Sequence, residues 1–269
     1  MKYNSLAVAG PSTSGKTDAA IALARKFNGA LICCDMVQIW KGYEIASGMP
    51  AKEQTKGLQM HLYGVLEPGP RLISKFQYHS LAAKARREAM HAKQLPIFEG
   101  CSSNYTRVLL GDPYSPDEKQ LNPEFPAHEY GEIPMFVLFT ELEGLRARLE
   151  KRLFKLWGEI VDEVKGLLGN ESIKKKQRPA PLKAGIVYNI ISRYFCENTE
   201  LLTRELDSLE KGEIYKAIHE EILTKAEKNI HQQTDFFNNL FQEFSDRQLF
   251  RIDASNPEET LEQLEELIN

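Results

Sequence analysis

Gly10-Pro11-Ser12-Thr13-Ser14-Gly15-Lys16-Thr17 follows the pattern G-x-x-x-x-G-K-[ST], and its setting supports the match. Ahead of it, Ser5–Ala9 reads as a short buried strand. Behind it, Gly15–Phe27 reads as a helix with Ala20, Leu23, Ala24 and Phe27 at helical spacing. A loop of this kind turns successive N–H groups inward around an anion, next to the positive end of a helix. Gly10, Ser12, Thr13, Ser14 and Gly15 are therefore candidates to cradle a diphosphate. Lys16 adds a point charge, and the Thr17 hydroxyl can hold Mg²⁺. The motif leaves open whether the diphosphate belongs to ATP or to another compound.

The remaining elements alternate. Ala30–Cys34, Leu95–Glu99, Met135–Phe139 and Leu249–Ile252 read as strands, and Ser74–Lys93 as a helix capped by its serine. Strands separated by helices imply an α/β fold: a P-loop-type parallel sheet flanked by helices. A mostly helical second part follows. Leu142–Leu168 is a long helix rich in Arg and Lys, Glu213–Phe244 a long amphipathic helix, and Pro257–Ile268 a terminal one. Gly111–Pro134 reads as an irregular excursion and Lys174–Pro179 as a basic loop. The organisation expected is a core with the donor site over 1–140, a helical acceptor-side region over 141–248, and a returning strand and helix over 249–269.

No apolar run approaches the roughly 20 residues of a membrane span, and the N-terminus lacks a signal-peptide pattern, so a cytoplasmic protein without membrane partners is expected. The four cysteines have no zinc-ligand spacing and are expected to be reduced. The net charge of −4 hides an asymmetry: the chain from Glu197 onward carries −11, the first 196 residues +7. A mildly basic body suits phosphorylated small molecules better than bulk nucleic-acid binding.

Asp35 ends the second strand, at the sheet edge where ligands of open α/β sheets lie, and would face the phosphate loop. There it could accept a proton or hold a metal-bound water; the alternative is a cap or loop carboxylate. The stretch from Asp35 to Pro50 resembles the D-S-M-Q-V-Y-R-G-M-D-I-G-T-A-K-P block of tRNA dimethylallyltransferases. Gln59-Met60-His61-Leu62 and Leu66-Glu67-Pro68 are similar to that family's H-H-L and L-D-P. Phe98–Leu110 resembles its V-G-G-T-G-L-Y-x-x-A-L-L, and also the L-E-G-G-S of the adenylate dimethylallyltransferases that form cytokinins.

The resemblance implies a prenyltransferase. Its phosphate loop would hold the diphosphate of dimethylallyl diphosphate with Mg²⁺, while an adenine N6 attacks the allylic carbon. Asp35 matches the general base, and Lys16 would stabilise the departing diphosphate. Ser12 and Ser102 match hydroxyl residues that could hydrogen-bond the diphosphate or its bridging oxygen. Arg148 and Arg152, in a segment similar to the R-I-x-x-R helix, would clamp it; a solvated basic face is the alternative. Gln38 and Ser47 are expected on the acceptor side.

Three departures bear on the acceptor. Gly111–Pro134 is too short for the helical insertion of the tRNA enzymes. The T-R-Q-x-A-K-R-Q-x-T-W helix becomes Thr224–Phe236, with cations missing. The V-G-Y-R-Q turn (D-G-Y-R in the adenylate enzymes) becomes Ala184–Asn189, without its acid or arginine. The first two favour a free adenine nucleotide such as AMP, with a cytokinin-type product, over adenosine in a tRNA anticodon loop; the third leaves the acceptor open. A P-loop small-molecule kinase with Arg146, Arg148 and Arg152 as a lid, and a nucleotide-binding module without activity, are further alternatives.

Overall fold

The computed structural model describes residues 2–111, 133–174, 178–202 and 212–269. Most of the expected excursion (112–132) and part of the basic loop (175–177) lie outside the described residues. The elements are β1 (Leu6–Ala9), α1 (Lys16–Lys26), β2 (Gly29–Cys33), β3 (Gln59–His61), α2 (Lys75–His91), β4 (Leu95–Gly100), α3 (Ser103–Leu109) and β5 (Met135–Phe139). They continue with α4 (Leu142–Lys174), α5 (Ala180–Ala184), α6 (Ile186–Glu197), α7 (Glu213–Glu243), β6 (Leu249–Asp253) and α8 (Pro257–Ile268).

All six strands pair in parallel, in the order β3-β2-β4-β1-β5-β6. Helices cover both faces, which is why the strands read as unbroken apolar runs rather than as alternating ones. In β1, Leu6 and Val8 pack with α1 and α8, while Ala7 and Ala9 belong to the cluster under α2, α4, α6 and α7. The late strand expected at 249–252 is β6, in register with β5 (Met135 opposite Leu249). The serine expected to cap the helix after residue 73 does so: Ser74 Oγ accepts from Gln77 N and Gln77 reciprocates.

α4 buries Leu145, Leu149, Leu153, Trp157, Ile160 and Val164, a stripe at three- and four-residue spacing. Arg148 and Arg152 each follow a stripe residue by three positions, so core packing sets both at the rim of the sheet's carboxyl edge. Among the described residues, no helix is long and apolar enough to cross a membrane.

Candidate functional site

The strand order decides what meets what. β4 lies between β2 and β1, so the carboxyl ends of these three strands and the segments after them converge at one edge. They carry Asp35, Glu99 with Cys101, and the phosphate loop. A cavity of about 1160 Å³ opens there, lined by Ser12–Thr17, Asp35, Gln38, Ser47, Cys101, Arg148 and Arg152 among others.

The loop is held in a conformation that only some residues allow. Gly10 has φ +149, and a Cβ there would come within 2.5 Å of Leu138 O. Thr13 adopts φ +65 while its hydroxyl donates to Leu145 O (2.8 Å), tying the loop to α4. Lys16 is buried, with Nζ on Pro11 O (3.2 Å), and the buried Ser14 Oγ has no partner among the described residues. Ser12 N donates to Gln233 Oε1 of α7 (2.8 Å), a contact across the fold with no sequence signal.

Asp35 faces this cradle. Its Oδ1 accepts from Val37 N (2.8 Å) and Gln38 N (3.2 Å), leaving Oδ2 turned to Cys101, whose thiol donates at 3.2 Å. Cys101 Sγ also lies 3.9 Å from Ser12 Oγ and so bridges Asp35 to the loop. Burial, then the charge of Asp35, pushes the Cys101 thiol up to about 12, so it remains a hydrogen-bond donor. Ser102 does not line the cavity; it is buried, its hydroxyl has no partner among the described residues, and Cys101 occupies the position beside Asp35.

The two arginines divide the rim. Arg148 donates to Thr13 O (3.2 Å) and Ala254 O (3.3 Å). Among the described residues Arg152 reaches only Ala46 O (3.4 Å) and its Nε has no partner; desolvation pulls its pKa down. No carboxylate pairs with either arginine among the described residues, which leaves two cations facing the cavity for an anion to neutralise. Arg146, by contrast, pairs with Glu227 (2.6 Å) and does not line the cavity, so the three-arginine lid of the kinase alternative does not assemble.

Gln38 donates to Ser47 O (3.2 Å), and its buried Oε1 has no partner among the described residues. The Ser47 hydroxyl is committed to Tyr43 O (2.5 Å) and Glu44 O within its own turn. That turn is pinned from α4 and α6: Glu163 accepts from the amides of Glu44, Ile45 and Ala46, and Tyr188 bridges Glu163 to Ser47 N. Gly48 completes it at φ +72, where a Cβ would sit 2.2 Å from Arg152 Nη1. Gly48→Ala is therefore expected to cost about 1–2 kcal/mol of backbone strain and to displace Arg152, lowering Tm and pyrophosphate affinity together in a calorimetric titration.

Glu99, to which the sequence reading gave no role, is fully buried between Thr17 and Tyr63, hydrogen-bonded to both hydroxyls. Burial raises its pKa; Lys16 and the two hydroxyls counter that in part. No cluster of three or more His, Cys, Asp or Glu side chains suited to a metal occurs among the described residues. Thr17 with Glu99 behind it and diphosphate oxygens in front is a hard-oxygen set that suits Mg²⁺.

Comparison with known proteins now adds to this geometry. The family model described as IPP transferase matches residues 38–129. The chain is 28% identical over 201 residues to the tRNA dimethylallyltransferase of Phytoplasma australiense, 74% of this chain and 66% of the relative. It is 31% identical over 112 residues to that of Alkaliphilus oremlandii, covering 42% and 36%. Over these stretches the chain is similar to the dimethylallyl transferase superfamily. Its alignments span from about a third to two thirds of these relatives' length.

The fold matches a tRNA isopentenylpyrophosphate transferase from Staphylococcus epidermidis (TM-score 0.73, 17% identity, 98% of both chains). It also matches a eukaryotic dimethylallyltransferase acting on tRNA (TM-score 0.68, 15% identity, 94% of this chain and 75% of that one).

These comparisons overturn the preference for a free adenine nucleotide and a cytokinin-type product, and with it the disfavouring of tRNA: the superfamily relatives are tRNA enzymes by name. A short excursion does not set this fold apart, since the solved Staphylococcus epidermidis chain is covered to 98%. Net charge misled as well, since whole-chain charge says little about a local patch.

Proposed function

We propose that this protein transfers a dimethylallyl group from dimethylallyl diphosphate to the N6 amine of an adenosine in a tRNA anticodon loop. The observation that carries the reading is one cavity that joins a phosphate loop, two arginines without carboxylate partners among the described residues, and Asp35. The diphosphate end fits the loop, where Lys16, Arg148 and Arg152 can take up the charge that grows as the allylic C–O bond breaks. The N6 lone pair forms the new C–N bond, and Asp35 Oδ2 accepts the proton released. Bound Mg²⁺, held through Thr17, would neutralise diphosphate charge. Gln38 Oε1 offers an acceptor for an adenine edge, while Ser47 acts through the turn it closes.

RNA as acceptor is supported by the relatives' names and by one surface feature. Phe154 on α4 is 77% exposed, between the exposed Lys151 and Lys155, and Lys155 also lines the cavity. An aromatic face flanked by cations suits bases unstacked from a single-stranded loop. A cytoplasmic setting belongs to the same reading and agrees with four free cysteines.

The test is incubation with dimethylallyl diphosphate and either unmodified tRNA or AMP, followed by mass analysis of the nucleosides. Prenylated adenosine in the tRNA is the expected result. Modification of AMP with none of tRNA would overturn the proposal, and a phosphorylated product would reinstate the kinase alternative.

A further inference from the structure

The Glu99 carboxylate has a consequence for Thr17 that the phosphate-loop pattern does not contain. A hydroxyl has one hydrogen and two lone pairs. Thr17 spends its hydrogen on Glu99 Oε1 (2.8 Å), and Tyr63 spends its own on Oε2 (3.0 Å). Glu99 has its place by strand periodicity: Leu95 and Ile97 of β4 pack toward α1, so residue 99 points to the same face, under the first turn of that helix. The carboxylate is sealed from solvent, while Thr17 and Tyr63 both line the cavity. Thr17 Oγ1 is thus oriented with only lone pairs available to the cavity. Toward a phosphate oxygen that orientation is repulsive; toward a hard divalent cation it is what a ligand requires.

We infer that Glu99 is a positioning residue that commits Thr17 to a divalent cation, so that the diphosphate is captured as its Mg²⁺ complex. The inference rests on the donor site proposed above and adds the residue that makes it metal-dependent. Tyr63 holds the far side of the carboxylate and fixes its plane. Without the carboxylate, Thr17 is free to turn its hydrogen toward the phosphate and behave as an ordinary donor.

The experiment is titration calorimetry of inorganic pyrophosphate against the full-length protein, with Mg²⁺ or with EDTA. In the unmodified protein, Mg²⁺ is expected to strengthen binding by about tenfold or more. Glu99→Val should lose most of that enhancement while binding metal-free pyrophosphate as well as, or better than, the unmodified protein. Glu99→Asp, which keeps the charge but draws the carboxylate back from Thr17, should also lose much of it and serves if the valine variant does not fold. Glu99→Gln, whose amide oxygen can still accept from Thr17, should restore part of the enhancement. Thr17→Val should likewise lose the Mg²⁺ enhancement, and the double variant should lose no more of it than either single one. Full enhancement in Glu99→Val or Glu99→Asp, or none in the unmodified protein, would overturn the inference alone. Absence of pyrophosphate binding under both conditions would instead overturn the donor site, and the inference with it.

Discussion

Asp35→Asn is expected to slow prenyl transfer by about 10²- to 10⁴-fold, the usual worth of a positioned general base. Pyrophosphate affinity and Tm should stay nearly unchanged. The substitution is conservative in the respects that hold the loop together. The asparagine oxygen can still accept from Val37 N and Gln38 N, the two bonds that fix the turn after β2. What it loses is the basicity of Oδ2, the oxygen facing Cys101 and the cavity. The amide nitrogen placed there cannot take a proton from an attacking amine. Single-turnover kinetics with saturating donor isolate this step from binding. A variant that kept the full rate would show that Asp35 only shapes its turn, and proton acceptance would have to be sought elsewhere in the cavity.

What the residues reveal in advance follows from how far apart in the chain the partners lie. The phosphate loop, the strand before it and the helix after it form one local unit with fixed offsets, so their placement is legible. Asp35 is legible because it ends a strand, and the parallel sheet brings such ends to one edge. β3, by contrast, is a three-residue strand at that sheet's margin whose side chains are only partly buried, so it has no periodicity to detect. α3 begins directly behind Gly100-Cys101-Ser102 and hides inside a motif read for its hydroxyl. Glu163, which organises the turn at 44–46, and Gln233, which reaches Ser12, act across more than a hundred residues of chain and leave no local trace. Glu99 had a signal of its own: a carboxylate at the end of a strand otherwise apolar on the helix-covered faces of a sheet needs partners, and the segments that gather at that sheet edge are where they come from.

Arg152→Met is expected to make the protein more stable and worse at holding its donor. The guanidinium is desolvated, bonded to one carbonyl at 3.4 Å, and has an Nε with no acceptor. Before a diphosphate arrives, the fold therefore carries a cation whose hydration has been partly removed and not replaced. Methionine has a similar reach, no charge to desolvate, and enough flexibility to fill the space against the turn at 46–48. By analogy with other buried charges replaced by apolar side chains, the gain is about 1–3 kcal/mol, which at this chain length raises Tm by several degrees. The same change removes one of two cations from the rim, and pyrophosphate affinity should fall by about 10- to 100-fold, the scale of a charge-assisted contact. Thermal melts with and without pyrophosphate read both effects: the variant should start higher and gain less from the ligand, since a weaker binder contributes less stabilisation at equal concentration. If Arg152→Met instead lowered Tm and left pyrophosphate binding intact, the arginine would be a structural strut for the turn at Gly48. The anion would then depend on Lys16, Arg148 and the amides of the loop.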